Sequence, residues 1–306
     1  MPLVLFAAVR PSWTILLCAV AGTACRGREA SEPPLHGSSS GDGSSETSSA
    51  EPTTADSTGT VPAGPCTLDA VGPVPPALAD SLGLDPFYVQ HLDADGLPVL
   101  ASGLTNPEAL VVACEIALHM LSERPDVLEA LIANGIRIGV MATTEVTTDI
   151  PEHADLDDVY PDTDWDARAR GLGATLDRPA STVGEENLLH LPEDVYAGES
   201  IMVHEFAHTI WETGVRFTEA GPSAAALAET YDAAIAAGLW QDTYAATDVR
   251  EYWAEATQSW FDTNLEASPA DGVHNDIDTR VELVDYDPTV VELLDAVFPD
   301  DDWVVP

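Results

Sequence analysis

The strongest constraint on this chain is a pair of histidines four residues apart with a glutamate between them: His204-Glu205-Phe206-Ala207-His208. On a helix, residues four apart project from the same face, one turn from each other. Two neutral imidazoles in that arrangement can occupy adjacent corners of a zinc tetrahedron, each about 2.0–2.1 Å from the metal. Glu205 can then take a proton from a water at the open corner. We therefore predict one catalytic Zn²⁺, with His204 and His208 as ligands and Glu205 as the general base.

The residues around this motif predict a buried helix from Gly198 to Thr213, ended by Gly214. They are apolar on nearly every side of the helix: Ile201, Met202, Val203, Phe206, Ala207, Ile210 and Trp211. Two histidines and a glutamate on such a helix are costly to bury without partners. A bound metal would supply those partners.

A catalytic zinc needs a third protein ligand and one open position. The candidates are Glu251 and Glu255, on a later helix that starts at Asp248 and runs to about Thr263. They are four residues apart and share a face, so one could bind zinc while the other acts one turn away. Glu251 could also orient a ligand histidine from outside the coordination shell, or cap the helix together with Asp248.

The two motifs together resemble those of the gluzincin zinc metallopeptidases, particularly the anthrax lethal factor-like branch, and of uncharacterised exported bacterial and fungal proteins. The resemblance implies a zincin-like fold in which Glu255 is the third zinc ligand, which leaves Glu251 the role of orienting a ligand histidine or of capping the helix. It also implies a catalytic tyrosine close to the glutamate helix. Tyr244 and Tyr252 are the two candidates for that role.

Residues 66–306 have the composition of a globular domain, and the order of the predicted elements indicates the α+β class. The resemblance implies that this is a zinc metallopeptidase-like domain. We expect a small mixed sheet packed on the helix that carries His204 and His208, with a mostly helical C-terminal half. Buried strands are predicted at Ile136–Met141 and Glu185–Leu191. The second is our candidate for the edge strand that aligns an extended substrate, and it contains His190, which we interpret as incidental. The predicted helices are 109–121, 125–133, 198–213, 223–237 and 248–263.

The N-terminal 65 residues indicate an exported protein, and we expect them not to form part of the folded domain. Residues 1–25 have the apolar run and small-residue ending of a secretory signal, and Cys25 after those small residues also resembles a lipoprotein signal. Residues 26–65 are rich in Ser, Thr and Gly, which predicts a disordered tether. In an exported domain, Cys66 and Cys114 most simply form one disulfide bond. The protein is therefore expected to be secreted or held at the cell surface by a lipid.

The charge limits the partners. The chain has 53 acidic residues against 11 basic ones, for a formal net charge of −42. Such a chain repels nucleic acid and anionic lipid headgroups, so any membrane contact should come through the lipid anchor alone. We expect a metalloendopeptidase with a peptide or protein substrate. The alternatives are a zinc hydrolase of a non-peptide bond, or a surface-tethered binding or structural protein with a non-catalytic zinc. The sequence leaves the oligomeric state open.

Overall fold

A mixed sheet organises the N-terminal half of the domain. The computed structural model describes residues 64–306, and within them the sheet has six strands in the order β1-β2-β3-β4-β6-β5. The strands are β1 (Gly72–Pro73), β2 (Gln90–Ala94), β3 (Leu97–Ala101), β4 (Arg137–Met141), β5 (Gly171–Leu172) and β6 (Ala180–Gly184). Strands β3, β4 and β6 are parallel, whereas β1, β2 and β5 join antiparallel to their neighbours. The predicted α+β class with a small mixed sheet is confirmed.

The three parallel strands form the middle of the sheet and are buried along their whole length. Parallel strands covered on both faces read as continuous apolar runs, and this is why Ile136–Met141 could be predicted as a strand, which it is from Arg137. Strand β2 turns tightly into β3 at Gly96, whose φ of 98° suits glycine and whose N–H donates to Asp93 Oδ1 at 2.6 Å.

The prediction of a strand at Glu185–Leu191 was wrong. The strand is β6, which ends at Gly184, and the chain then turns into the short helix α6 (Glu185–Leu188). The Glu185 carboxylate accepts hydrogen bonds from the backbone N–H groups of Asn106 and Thr143. Residues 185–188 therefore form a helical turn whose buried Glu185 bonds neighbouring backbone groups, instead of pairing with another strand.

Helices make up most of the C-terminal half, as predicted. Before α6 come α1 (Pro76–Leu82), α2 (Pro107–Met120), α3 (Pro125–Ala133), α4 (Leu156–Val159) and α5 (Trp165–Arg168). After it come α7 (Ile201–Thr209), α8 (Ala224–Ala237), α9 (Val249–Trp260), α10 (Arg280–Tyr286) and α11 (Pro288–Asp295). No helix in the described part of the chain is long and apolar enough to cross a membrane.

One disulfide ties the start of the domain to its core. Cys66 and Cys114 are bonded, with an S–S distance of 2.05 Å, which confirms the predicted pairing. Cys114 lies on α2, a helix whose buried face packs on the sheet. The predicted signal (1–25, including Cys25) lies outside the described residues, and so does the predicted tether up to residue 63.

Candidate metal centre

Helix α7 carries the histidine pair and is buried from Ile201 to Thr209. Ser200 begins it, because its side chain accepts a hydrogen bond from Val203 N at 3.2 Å. The helix continues into a π-turn over Ile210–Gly214, so the predicted helical stretch is present with a wider last turn. Helix α7 lies against β5 and β6, which places the histidines next to the sheet.

Three donor atoms from two helices meet in a small buried triangle. His204 Nε2 lies 3.2 Å from His208 Nε2, and Glu251 Oε2 lies 3.3 and 3.4 Å from these two nitrogens. The corners of a tetrahedron around a metal at 2.0–2.1 Å are about 3.3 Å apart, so the triangle has the size of one face. Glu251 Oε2 is also buried without a hydrogen-bond partner in residues 64–306. Donor set, spacing and orphaned oxygen all fit a bound metal ion.

Helix α9 supplies the carboxylate of this triangle. Asp248 caps the helix by accepting from the backbone N–H groups of Arg250 and Glu251. The Glu251 side chain lies with the histidines, so it does not complete the capping box that was one of its possible roles. The Trp253 indole N–H donates to Ala207 O at 3.1 Å and holds α9 against α7.

The structure brings Glu251, and not the expected Glu255, together with both histidines. Glu255 lies one turn further along α9, where its Oε1 is 3.5 Å from His204 Nδ1, on the side of the ring away from the triangle. Its Oε2 accepts from Asn264 Nδ2 at 3.3 Å. The two glutamates thus flank the His204 ring from opposite sides. The prediction that Glu255 lies with both histidines is therefore wrong: Glu251 holds that position, and Glu255 lies beside the other ring nitrogen of His204.

The pKa values of the two glutamates are shifted in opposite directions. Burial raises the pKa of Glu255 to about 7, against weaker opposing attraction from His204. Burial acts on Glu251 too, but its two histidine partners outweigh it and lower the pKa of that carboxyl. Burial would lower the pKa of His204, yet Glu251, Glu205 and Glu255 together raise it to about 10. The site therefore has strong attraction for positive charge, and Glu251 is the carboxyl that stays ionised.

Gln258 supports the site and was missed at the sequence level. Its Oε1 lies 2.7 Å from His204 Nδ1, and its Nε2 lies 3.4 Å from Glu199 Oε2, which in turn faces His274. A ligand histidine that gives its second ring N–H to such a partner has its tautomer and ring orientation fixed. The available signal was spacing: Gln258 is seven residues after Glu251, two turns along the same helix face.

Glu205 lies between α7 and the edge of the sheet. Gly173, just beyond β5, lies against its carboxyl group, since a Cβ added there would be 3.5 Å from Glu205 Oε2, and this oxygen is buried with no hydrogen-bond partner in the described residues. Burial raises the pKa of Glu205. The approach of β5 is so close that a Cβ at Gly173 would lie 2.7 Å from His208 Cβ, and one at Gly171 2.6 Å from Ile201 Cγ2.

The structure distinguishes the two tyrosine candidates. Tyr244 is half-buried, and its ring stacks near the His204 ring with centroids 6.5 Å apart. Tyr252 is fully buried on another face of α9, where its hydroxyl donates to Asp287 Oδ2 at 2.7 Å. Only Tyr244 therefore lies beside the metal centre. His190 is not one of the clustered donors, and its Nε2 lies 3.3 Å from Pro306 O.

Comparisons with known proteins identify no family for the chain. No protein-family model matches it, and no curated protein matches it. Among solved structures it is similar to a Pro-Pro endopeptidase from Paenibacillus alvei, at 18% identity, covering 67% of this chain and 98% of that one. The TM-score is 0.37. At that value the likeness carries no argument, so function must be inferred from the side chains themselves.

Proposed function

We propose that this protein is a zinc metallopeptidase of the gluzincin type, with His204, His208 and Glu251 as metal ligands. The observation that carries the proposal is the triangle of two imidazole nitrogens and one carboxylate oxygen, beside a buried glutamate with an unpaired oxygen. A structural zinc site closes its coordination with four protein ligands. Three ligands next to a candidate base are the arrangement of a hydrolytic centre.

The side chains divide the chemistry between them. A zinc ion bound there would supply Lewis-acid polarisation of a carbonyl and lower the pKa of a water. Glu205 accepts the proton of the attacking water and passes it to the leaving amine; its raised pKa suits a group that must hold and release a proton. The Tyr244 hydroxyl donates to the developing oxyanion. Gln258 keeps His204 in the tautomer that directs Nε2 to the metal.

A peptide substrate follows from the resemblance of the two zinc motifs to those of the gluzincin peptidases. Strand β5, the last strand on this side of the sheet in the described residues, is two residues long and buried at both, so it offers no open edge to an extended peptide. No strand is therefore assigned the substrate-aligning role predicted for Glu185–Leu191. The proposal includes export, which rests on the signal-like residues 1–25.

The decisive experiment compares the zinc-loaded protein with its Glu205→Gln variant on a diverse peptide library, with and without chelator. We expect cleavage that disappears in the variant and with chelator, while zinc content in the variant stays at one per chain. Matched zinc content is the control that separates a lost base from a lost metal.

Two other outcomes would replace the proposal. Stoichiometric zinc with no turnover of any peptide would indicate a binding or structural protein. Peptides left intact while ester or amide substrates of another class are hydrolysed would indicate a zinc hydrolase of a non-peptide bond. Retention of full activity by Glu205→Gln would refute the assigned base.

A further inference from the structure

A cleft with two arginines is formed by segments that adjoin the metal-centre residues along the chain. Its volume is about 520 Å³, and none of its side chains has a role in the chemistry described above. The lining residues are Thr175, Leu176, Asp177, Glu212, Thr213, Arg216, Phe217 and Arg250.

The chain connectivity places this cleft next to the reacting groups. Arg250 directly precedes the ligand Glu251, and Glu212 follows the ligand His208 by four residues on a continuous helical stretch. Thr175 lies two residues after Gly173, which packs against Glu205 and His208. Three separate segments thus leave the metal centre and converge on the cleft. The metal ligands themselves are buried, so a substrate must reach them through an opening in the surface around them.

The two arginines share a single carboxylate. Arg216 Nη1 pairs with Glu212 Oε2, and Arg250 Nε pairs with Glu212 Oε1 at 3.2 Å. Both terminal nitrogens of Arg250, and Nε and Nη2 of Arg216, have no hydrogen-bond partner in residues 64–306. By contrast, all three guanidinium nitrogens of Arg137 are bonded to carboxylate or carbonyl oxygens. The cleft therefore holds guanidinium N–H donors that no group of the described residues occupies.

We propose that this cleft is a substrate subsite that binds a carboxylate group; the inference rests on the peptidase function proposed above. A guanidinium presents parallel N–H donors that match the two oxygens of a carboxylate. Leu176 and Phe217 are 55% and 51% exposed on the cleft wall and can cover the aliphatic part of the bound residue. The carboxylate can come from an acidic side chain or from the C-terminus of a peptide.

Asp177 adds a negative charge to the cleft wall. It is an exposed acid in the lining, so the four charged residues of the cleft sum to zero. Recognition must then depend on the paired geometry of the guanidinium groups and not on a broad positive field. Removal of the Asp177 charge should strengthen binding of a carboxylate, whereas removal of the Arg216 charge should weaken it.

The test uses the full zinc-loaded chain and peptides that differ in one group. One pair is blocked at both ends and carries Glu or Gln at a single position, scanned along the peptide; the other pair has a free or an amidated C-terminus. Loss of a charge-assisted hydrogen bond corresponds to about 10- to 100-fold in kcat/KM. We expect one carboxylate pair to show that preference. The preference should fall to near one in Arg216→Gln, be partly restored in Arg216→Lys and rise in Asp177→Asn.

Arg178→Gln is the matched control, because Arg178 pairs with Asp155 and does not line the cleft. It should leave the preference unchanged. Which pair responds identifies the source: the internal Glu pair indicates an acidic side chain, and the free C-terminus indicates carboxypeptidase-like recognition. Thermal unfolding of each variant excludes a folding defect as the cause.

Binding of the same peptides to the Glu205→Gln variant separates this inference from the function. Carboxylate-dependent binding that Arg216→Gln abolishes, without any cleavage by the active protein, would support the subsite and overturn the peptidase. Cleavage with no carboxylate preference, or with one that Arg216→Gln leaves unchanged, would overturn the subsite and support the peptidase. Neither binding nor cleavage of any peptide would overturn both.

Discussion

Replacing one glutamate of α9 at a time tests which of them holds the metal. Glu251→Gln and Glu255→Gln are isosteric changes one helical turn apart, so each serves as the control for the other. Glu251 Oε2 completes the triangle at 3.3 and 3.4 Å, whereas Glu255 faces the far side of the His204 ring at 3.5 Å. Loss of a group that only supports a ligand costs about 10- to 100-fold in metal affinity, and loss of a ligand should exceed that range.

These affinities convert into stability through mass action. At free zinc 100 times the wild-type Kd, the metal raises the free energy of unfolding by about 2.7 kcal/mol. A 10-fold loss of affinity in Glu255→Gln would leave about 1.4 kcal/mol of that gain, and a loss above 100-fold in Glu251→Gln would leave less than about 0.4 kcal/mol. The assay is denaturant unfolding in a zinc buffer, with each variant's zinc-free value subtracted. A larger loss in Glu255→Gln than in Glu251→Gln would refute the ligand assignment.

Three further predictions concern other parts of the molecule. Tyr244→Phe should lower kcat by about 100- to 1,000-fold with little change in KM, while Tyr252→Phe should change stability and not kcat; equal kinetic effects would contradict the assignment of the oxyanion donor. Burial lowers the pKa of His153 to about 4, so the unfolded chain binds its proton first and the free energy of unfolding should fall between about pH 6.5 and pH 4, by about 3 kcal/mol in total. A His153→Gln variant should lose that part of the slope in unfolding curves measured across this range. Reduction of the Cys66–Cys114 bond, which closes a loop of 48 residues, should lower the free energy of unfolding by about 4 kcal/mol, and an unchanged denaturation midpoint would show that the bridge contributes little.

The helices could be predicted where their boundaries are set by neighbouring residues. Pro125 starts α3, and the helix ends at Ala133, as expected from the sequence. Ser223 caps α8 through Ala226 N, and Gly238 ends it with a φ of 82°. Each of these signals acts within one helical turn, so the surrounding fold is not needed to read it.

Strand β4 could be predicted from its apolar run, but β6 could not be located in this way, because its position is defined by its neighbours. Ala180–Gly184 is β6 because it pairs with β4 over its whole length. Glu185–Leu191 has a similar apolar content but continues past the end of that pairing. The β-branched Thr182 and Val183 favour a strand and the Glu and Leu residues of the second segment favour a helix, but these propensities are small over segments of five to seven residues.

The third metal ligand could not be identified from the sequence either, because its identity depends on how two helices pack. Glu251 and Glu255 share a face of α9, and sequence spacing alone allows either of them to reach the histidines. The choice depends on how far α9 is displaced along α7, and the hydrogen bond from Trp253 to Ala207 O helps to fix that displacement. The histidine pair, by contrast, lies within one turn of a single helix, so its geometry is local and could be predicted.

The close approach of β5 to α7 has a consequence for large-scale mutagenesis of this protein. Because an added methyl group at Gly173 would meet the β-carbon of His208, and one at Gly171 the backbone oxygen of Thr182 at 3.0 Å, even alanine should be selected against at both positions. In a deep mutational scan these two glycines would appear as intolerant as the histidines. Tolerance profiles alone would therefore overstate the number of residues that take part in chemistry, and a count of bound zinc per chain would be needed to tell the two groups apart.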